Sequence, residues 1–202
     1  LREFFMKRIL IKQGIFLPLI YFVAVIIAGF FARDYSHWGQ HASELALNAV
    51  PAAATIFNIG AAITGISLIL LGLGFVLNYQ RRFLLTAILT VIFGITFLFG
   101  AIFKIGSPLH GLYGIGMCVM LIPFVFLYEQ KGMFSERAVH AISLSAGLLM
   151  FLYLWSMVAG LDPVQYRGIT QRLFAIVVFG WFSFIAWKTG KAKTTIPSRA
   201  DL

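Results

Sequence analysis

AAATIFNIGAAITGISLILLGLGFVLNY, residues 52–79, runs for twenty-eight positions without a charged side chain and is followed at once by Gln80-Arg81-Arg82. About 20 mostly apolar residues in an α-helix cross the hydrocarbon core of a bilayer. This stretch is therefore a membrane span, and its surplus length predicts tilt or projection beyond the core. Charged residues punctuate the rest of the chain at a similar interval. Spans follow at about 14–32, 83–103, 109–128, 138–159 and 171–188, leaving a long loop at 33–51 and a basic tail at 189–202. Pro123 predicts a kink or a shortening of the last turns of the fourth span. The fold class is all-α: a six-helix transmembrane bundle forming one domain.

Composition agrees. Of 202 residues, 60% are hydrophobic and 11% charged, against roughly 45–50% and 25% in soluble domains, which excludes a water-soluble globule. Cys118 is the one cysteine, which excludes an internal disulfide framework. The first span reads as a retained helix and not a cleaved leader, because Arg33-Asp34-Tyr35 is a poor cleavage junction.

A net charge of +9 in so apolar a chain points to topology and anionic headgroups, not to nucleic acid. Twelve Lys and Arg fall in the N-terminal arm, the 81–82 and 131–137 loops and the tail; four (Arg33, Lys104, Arg167 and Arg172) fall in the alternate segments. The positive-inside rule places both termini in the cytoplasm. The arm Arg2–Lys12 reads as a positive-inside anchor in preference to an interfacial helix. Trp38, Trp155, Trp181 and Trp187, with Tyr21, Tyr79, Tyr128 and Tyr166, are assigned mostly to an interfacial belt. Small residues such as Ala61, Gly65, Gly72, Gly94, Gly114 and Gly116 predict close helix packing, within the bundle or through a homo-oligomer or membrane-protein partner.

With that threading the outer side collects Asp34, His37, His41, Ser43, Glu44, Lys104, His110, Asp162, Arg167, Gln171 and Arg172. If residues 37–44 are helical, His37, His41 and Glu44 share a face and, with His110, form a candidate metal set. Ser43 beside Glu44, with His41 or His110 as base, is a candidate hydrolytic group. No Gly-x-Ser-x-Gly surrounds Ser43, and no cofactor is assigned. Asn58 lies about two turns inside the second span, as a site residue or a structural hydrogen bond. His140 sits at the inner end of the fifth span and reads as interfacial. Arg167 and Arg172 flank one entrance, suited to a phosphate or carboxylate or to an internal ion pair with Glu44, Asp34 or Asp162.

Tyr35-Ser36-His37, Gln40-His41-Ala42-Ser43-Glu44-Leu45, Pro51-Ala52, Ile56-Phe57-Asn58-Ile59-Gly60 and Gly65, with the later His110 and Gly168-Ile169-Thr170-Gln171-Arg172-Leu173, resemble the landmarks of domain-of-unknown-function family 998. The resemblance covers nearly the whole chain. It implies a six-helix protein of the prokaryotic inner membrane and carries no biochemical activity with it. It also implies that Ser43, Glu44, Asn58, His110, Gln171 and Arg172 converge in one pocket, and it counts against a shared metal site on His37 and His41. The reading that follows is a lipid or small amphipathic ligand held in a polar, outward-facing pocket. An intramembrane hydrolase using the His, Ser and Glu cluster, metal-dependent or not, and a non-catalytic assembly partner are the alternatives.

Overall fold

The computed structural model describes residues 2–103 and 107–192, and they form helices joined by turns, with no strand among the described residues. The first helical stretch comprises α1 (Arg2–Lys12), a 3-10 turn at Gln13–Phe16 and α2 (Leu17–Phe31). The turn is tight because Gly14 is wedged: a Cβ there would stand 3.1 Å from both Ala186 and Leu71. The arm is thus docked in the bundle. Ile11 is buried, Asn78 donates to the Lys7 carbonyl at 2.8 Å, and Arg8 donates to Ala192 at 3.0 Å.

Among the described residues, four uninterrupted helical runs are long and apolar enough to cross a membrane: Lys7–Phe31, Pro51–Ile102, Arg137–Val158 and Arg167–Lys191. The second is a hairpin, α3 (Pro51–Tyr79) and α4 (Leu84–Ile102), reversing at Gln80 with φ 52°. A Cβ on Gly65 would lie 2.7 Å from the Gly94 carbonyl oxygen, and one on Gly94 2.7 Å from that of Gly65. Seven residues on, Gly72 meets Ala87 and Val91. Partners whose numbers fall as the first rises define antiparallel helices. Lipid tails supply no hydrophobic force between helices, so this backbone approach holds the pair by packing.

The fourth apolar segment departs from a regular helix. Pro108–Leu121 is a 3-10 helix of 14 residues, and α5 (Ile122–Glu129) continues it. Runs of 3-10 helix beyond three or four residues are uncommon; Gly111, Gly114 and Gly116 weaken the α alternative here. At about 2 Å rise per residue the 3-10 part alone spans roughly 28 Å, so few residues cover much depth. Pro123 falls in the first turn of α5, at its junction with the 3-10 segment. It marks where the α-helix starts and does not shorten its end. Helices α6 (Arg137–Val158) and α7 (Arg167–Lys191) complete the bundle.

An aromatic column fills the centre. Phe83 stacks on Phe126 at 5.3 Å, Phe126 meets Trp181 edge-on at 5.8 Å, and Tyr21 lies 4.6 Å from Phe179. Trp181 donates to the Ser143 hydroxyl at 3.0 Å. Trp181 and Tyr21 are therefore core residues, whereas Trp38, Trp155, Tyr128 and Tyr166 are exposed near helix ends. An indole N–H paired with a hydroxyl inside the bundle removes the need of Trp181 for an interfacial position.

The two poles differ. One carries the arm, the 80–83 turn and the 130–136 loop. There Glu129 caps the start of α4, accepting from the Leu85 and Thr86 amides at 2.8 and 2.9 Å and from the Thr86 hydroxyl at 2.6 Å. His140 lies at this pole, where Gln130 Nε2 and His140 Nε2 are 2.8 Å apart. Glu129→Ala is expected to cost about 1–2 kcal/mol through the lost cap, read as a lower melting temperature. A variant that melts with the parent protein would show that the cap contributes nothing.

Candidate functional site

The opposite pole is covered by the 33–50 segment, which lies across the start of α7 as a strap. Asn48 buckles its ends: its Oδ1 accepts from the Arg33 and Val50 amides at 3.3 and 3.0 Å, and its Nδ2 donates to the Arg33 carbonyl at 2.9 Å. Between the ends the chain turns at Asp34 (φ 55°) and forms a short 3-10 helix, Ala42–Leu47, whose Leu45 is fully buried.

Helix α7 begins at Arg167, so Arg167, Gln171 and Arg172 lie on its first turns. The first amides of a helix lack intrahelical partners, and the strap supplies them. The Trp38 carbonyl accepts from Gly168 at 2.9 Å and from Ile169 at 3.2 Å. Neighbouring carbonyls take the arginines: Arg167 Nε donates to Gly39 at 3.0 Å, and Arg172 donates to Gln40 at 3.2 Å. In return, the Ala42 amide donates to Gln171 Oε1 at 2.7 Å. So close an approach requires glycine at 168, where a Cβ would lie 2.6–2.7 Å from the carbonyl oxygens of His37, Trp38 and Gln40.

Arg172 is the hub. Besides Gln40 it donates to Gly168 at 2.6 Å, to the Tyr35 hydroxyl at 2.5 Å and to His37 Nδ1 at 3.0 Å. Tyr35 passes its own hydrogen to the His41 carbonyl at 3.2 Å. A guanidinium has donors and no acceptor, so His37 Nδ1 must be unprotonated, and the ring is neutral. Its far edge rests on α2, where a Cβ at Gly29 would lie 2.4 Å from Nε2. Desolvation, then the Arg172 charge, hold His37 below its usual pKa. His41 is lowered as well, first by desolvation and then by Arg167, with Glu44 and Asp162 opposing. Burial raises the Tyr35 phenol against the pull of Arg172.

A pH dependence follows. A histidine held neutral, with its folded pKa below the ordinary 6.5, contributes its full stability above that value. As pH falls below 6.5 the open strap takes up a proton more readily, and stability drops until the lowered folded pKa is also passed. Protection factors of the Gly168 and Ile169 amides, which already correct for the slower intrinsic exchange in acid, should fall between pH 7.5 and 5. His37→Gln, which keeps an acceptor, should flatten much of that response. Equal protection at both pH values would show that the strap does not sense the proton.

Glu44 accepts from the His41 amide at 2.8 Å and from Gln40 Nε2 at 3.3 Å, with Arg167 at 3.6 Å. Asp162 accepts from the Thr170 hydroxyl at 2.7 Å, and His41 Nε2 lies 3.9 Å from its other oxygen. The structure thus joins Glu44, Arg167, Gln171 and Arg172 at one pole, in a network built largely of contacts to the strap. The Arg172 guanidinium is taken up by two carbonyls, Tyr35 and His37, whereas Arg167 meets the Gly39 carbonyl and Glu44 with its side chain still 40% exposed. The shared face of His37, His41 and Glu44 does not form, because His37 lies outside the short helix and turns to Arg172 while His41 turns to Asp162. Among the described residues no three His, Cys, Asp or Glu side chains converge as metal ligands. Ser43 makes no hydrogen bond to His41. The side chain of His110 and the whole of Lys104 lie outside the described residues.

Asn58 stands apart from this network. It shares the stripe of Gly65 and Gly72, seven residues apart on the α3 face toward α4. Its Oδ1 is buried with no hydrogen-bond partner among the described residues. Tyr35, Gln40, Asn48 and Thr170 join the network without having been singled out as site residues. The signal for Tyr35 was a hydroxyl beside a histidine in a loop too aromatic for a tether; backbone acceptors leave no sequence signal.

Beneath the strap lies a cavity of about 150 Å³. Tyr21, Phe97, Met157, Phe174 and Phe179 are among its walls, and the 3-10 segment closes one side through Gly114, Gly116 and Met117. Among the described residues, Gln171, hanging from the strap network, and Tyr21 are the polar side chains that reach it. The polar cluster and the cavity are therefore distinct and meet at Gln171.

Residues 16–188 match the family described as protein of unknown function (DUF998), and the chain belongs to that family. No curated protein and no solved structure matches the chain.

Proposed function

We propose that this DUF998 membrane protein binds a lipid or small amphipathic molecule in the apolar cavity beneath the 33–50 strap. The observation that carries the reading is the cavity itself. Close-packed interiors seldom leave voids larger than a water molecule, and this one is walled by aromatic and methionine side chains beside an irregular helix. The Arg172 donors above it are taken up by the strap, so the strap is a roof that positions Gln171 and not the binding surface. The test uses the full chain in nanodiscs and fluoroethylbenzene as an apolar probe, followed by fluorine NMR. Binding should be lost in Val178→Phe, which fills the cavity from α7, in a variant that still melts cooperatively. Equal binding by the parent protein and this variant would remove the reading.

The chain crosses the prokaryotic inner membrane six times in this proposal, with the strap outside and both termini in the cytoplasm. The excess of Lys and Arg at the pole opposite the strap supports that orientation. With Cys118 replaced, an impermeant thiol reagent added from outside should label Gln40→Cys and Gln165→Cys but not Arg81→Cys or Lys131→Cys. The reverse pattern would invert the topology.

An assembly role is the second reading. It is supported by an open groove between α6 and α7 lined by Ala141, Ser145, Ala146 and Gly180, where a Cβ on Gly180 would meet nothing within 4 Å. A disulfide-linked dimer through Gly180→Cys in the membrane would favour it, and its absence under oxidation would not.

A further inference from the structure

Resting on the cavity reading, we infer that Gln171 selects an uncharged ligand bearing a carbonyl oxygen, by donating a hydrogen bond from its amide nitrogen. Three observations lead there. The Ala42 amide donates to the Gln171 oxygen at 2.7 Å. An N–H donor requires an acceptor, so the network itself orients the amide. The nitrogen of Gln171 then has two hydrogens and, among the described residues, no partner, while the side chain lines the cavity. A donor facing apolar walls without an acceptor is costly. A ligand that brings an acceptor relieves that cost, and one without it does not.

The second observation concerns charge. Among the described residues, no Lys, Arg, Asp or Glu lines the cavity. The nearest cations along α7, Arg167 and Arg172, are bound by the Gly39, Gln40 and Gly168 carbonyls, Tyr35, His37 and Glu44. An anionic headgroup drawn inside would meet no countercharge and would lose its hydration. The ligand's buried end is neutral.

The third is size. About 150 Å³ is the scale of a cavity that holds one benzene-sized group. The seated part is thus a ring or a short alkyl segment ending at a carbonyl. Two sources share that chemistry, the ester end of an acyl chain and a ring ketone or quinone.

Four probes separate these points in the full chain in nanodiscs, read by fluorine NMR: fluoroacetophenone, fluorinated methyl hexanoate, fluoroethylbenzene and fluorobenzoate. Two substitutions separate the two ends of the amide. Gln171→Glu keeps an oxygen for Ala42 and removes the donor, and Gln171→Leu removes both. The ketone or the ester should bind the parent protein and weaken roughly five- to tenfold in both variants, the worth of one hydrogen bond. Fluoroethylbenzene should change less than twofold in Gln171→Leu, and fluorobenzoate should not bind. The tighter of ketone and ester names the source. If ketone, ester and fluoroethylbenzene respond alike to Gln171→Leu, or if fluorobenzoate binds as well as the ketone, the inference is overturned while the cavity reading survives. If no probe is displaced by Val178→Phe, the cavity reading itself has failed.

Discussion

Gly168→Ala is expected to lower the melting temperature by roughly 6–12 °C, the shift that about 3 kcal/mol produces in a chain of this size. The added methyl would meet three backbone oxygens at 2.6–2.7 Å. Backbone cannot rotate away as a side-chain tip can, so the strap must lift from α7. Lifting it breaks the amide bonds from Gly168 and Ile169 to Trp38 and the arginine contacts beside them. Limited proteolysis should then cut within 33–50 under conditions that leave the parent chain intact. Gly180→Ala on the same helix is the control: nothing lies within 4 Å of its Cβ, and alanine favours the helix by up to about 1 kcal/mol. Equal melting of the parent protein and Gly168→Ala would mean that the strap is not seated on α7.

Arg172→Met should destabilise by about 2–4 kcal/mol, because it strands the Tyr35 hydroxyl, His37 Nδ1 and two carbonyls that a guanidinium satisfies together. Arg172→Lys should recover only part. An ammonium keeps the charge but cannot fork toward Gln40, Gly168, Tyr35 and His37 at once. A further sign separates this role from mere loss of packing. With Arg172 neutralised, one of the two causes depressing His37 is gone, so its folded pKa returns toward the ordinary value and the loss of strap stability below pH 6.5 should be smaller than in the parent chain. If Arg172 instead held a lipid headgroup, Arg172→Lys would leave melting unchanged and alter only the lipid that co-purifies.

The helical architecture was legible because its cause is local. Charged residues cannot sit in hydrocarbon cheaply, so intervals between Arg33, Arg81, Arg137 and Lys188 mark where helices end. Pro123 was legible as an irregularity but not as a starting point, since proline disturbs a helix interior and suits its first turn equally well. The 3-10 form of Pro108–Leu121 was not legible. Its glycines announce a weak α-helix, and which geometry replaces it depends on what it packs against: a Cβ on Gly116 would stand 2.8 Å from the Thr96 hydroxyl.

The site divides the same way. Alternation of basic loops is enough to put Glu44, Gln171 and Arg172 at one pole, because each crossing reverses the side on which the next loop emerges. Their roles followed from something composition does not encode. A pair of arginines near a membrane surface reads as an anion site, yet these face carbonyl oxygens of residues 39, 40 and 168. Every residue carries such an oxygen, and only the folded path of the strap aims these few at α7. Periodicity and charge therefore settle which segments become helices and which polar residues share an end. Whether those residues are open to a ligand or consumed by one another, and that the void beneath them is apolar, emerged only when backbone from a distant loop was brought within hydrogen-bond reach.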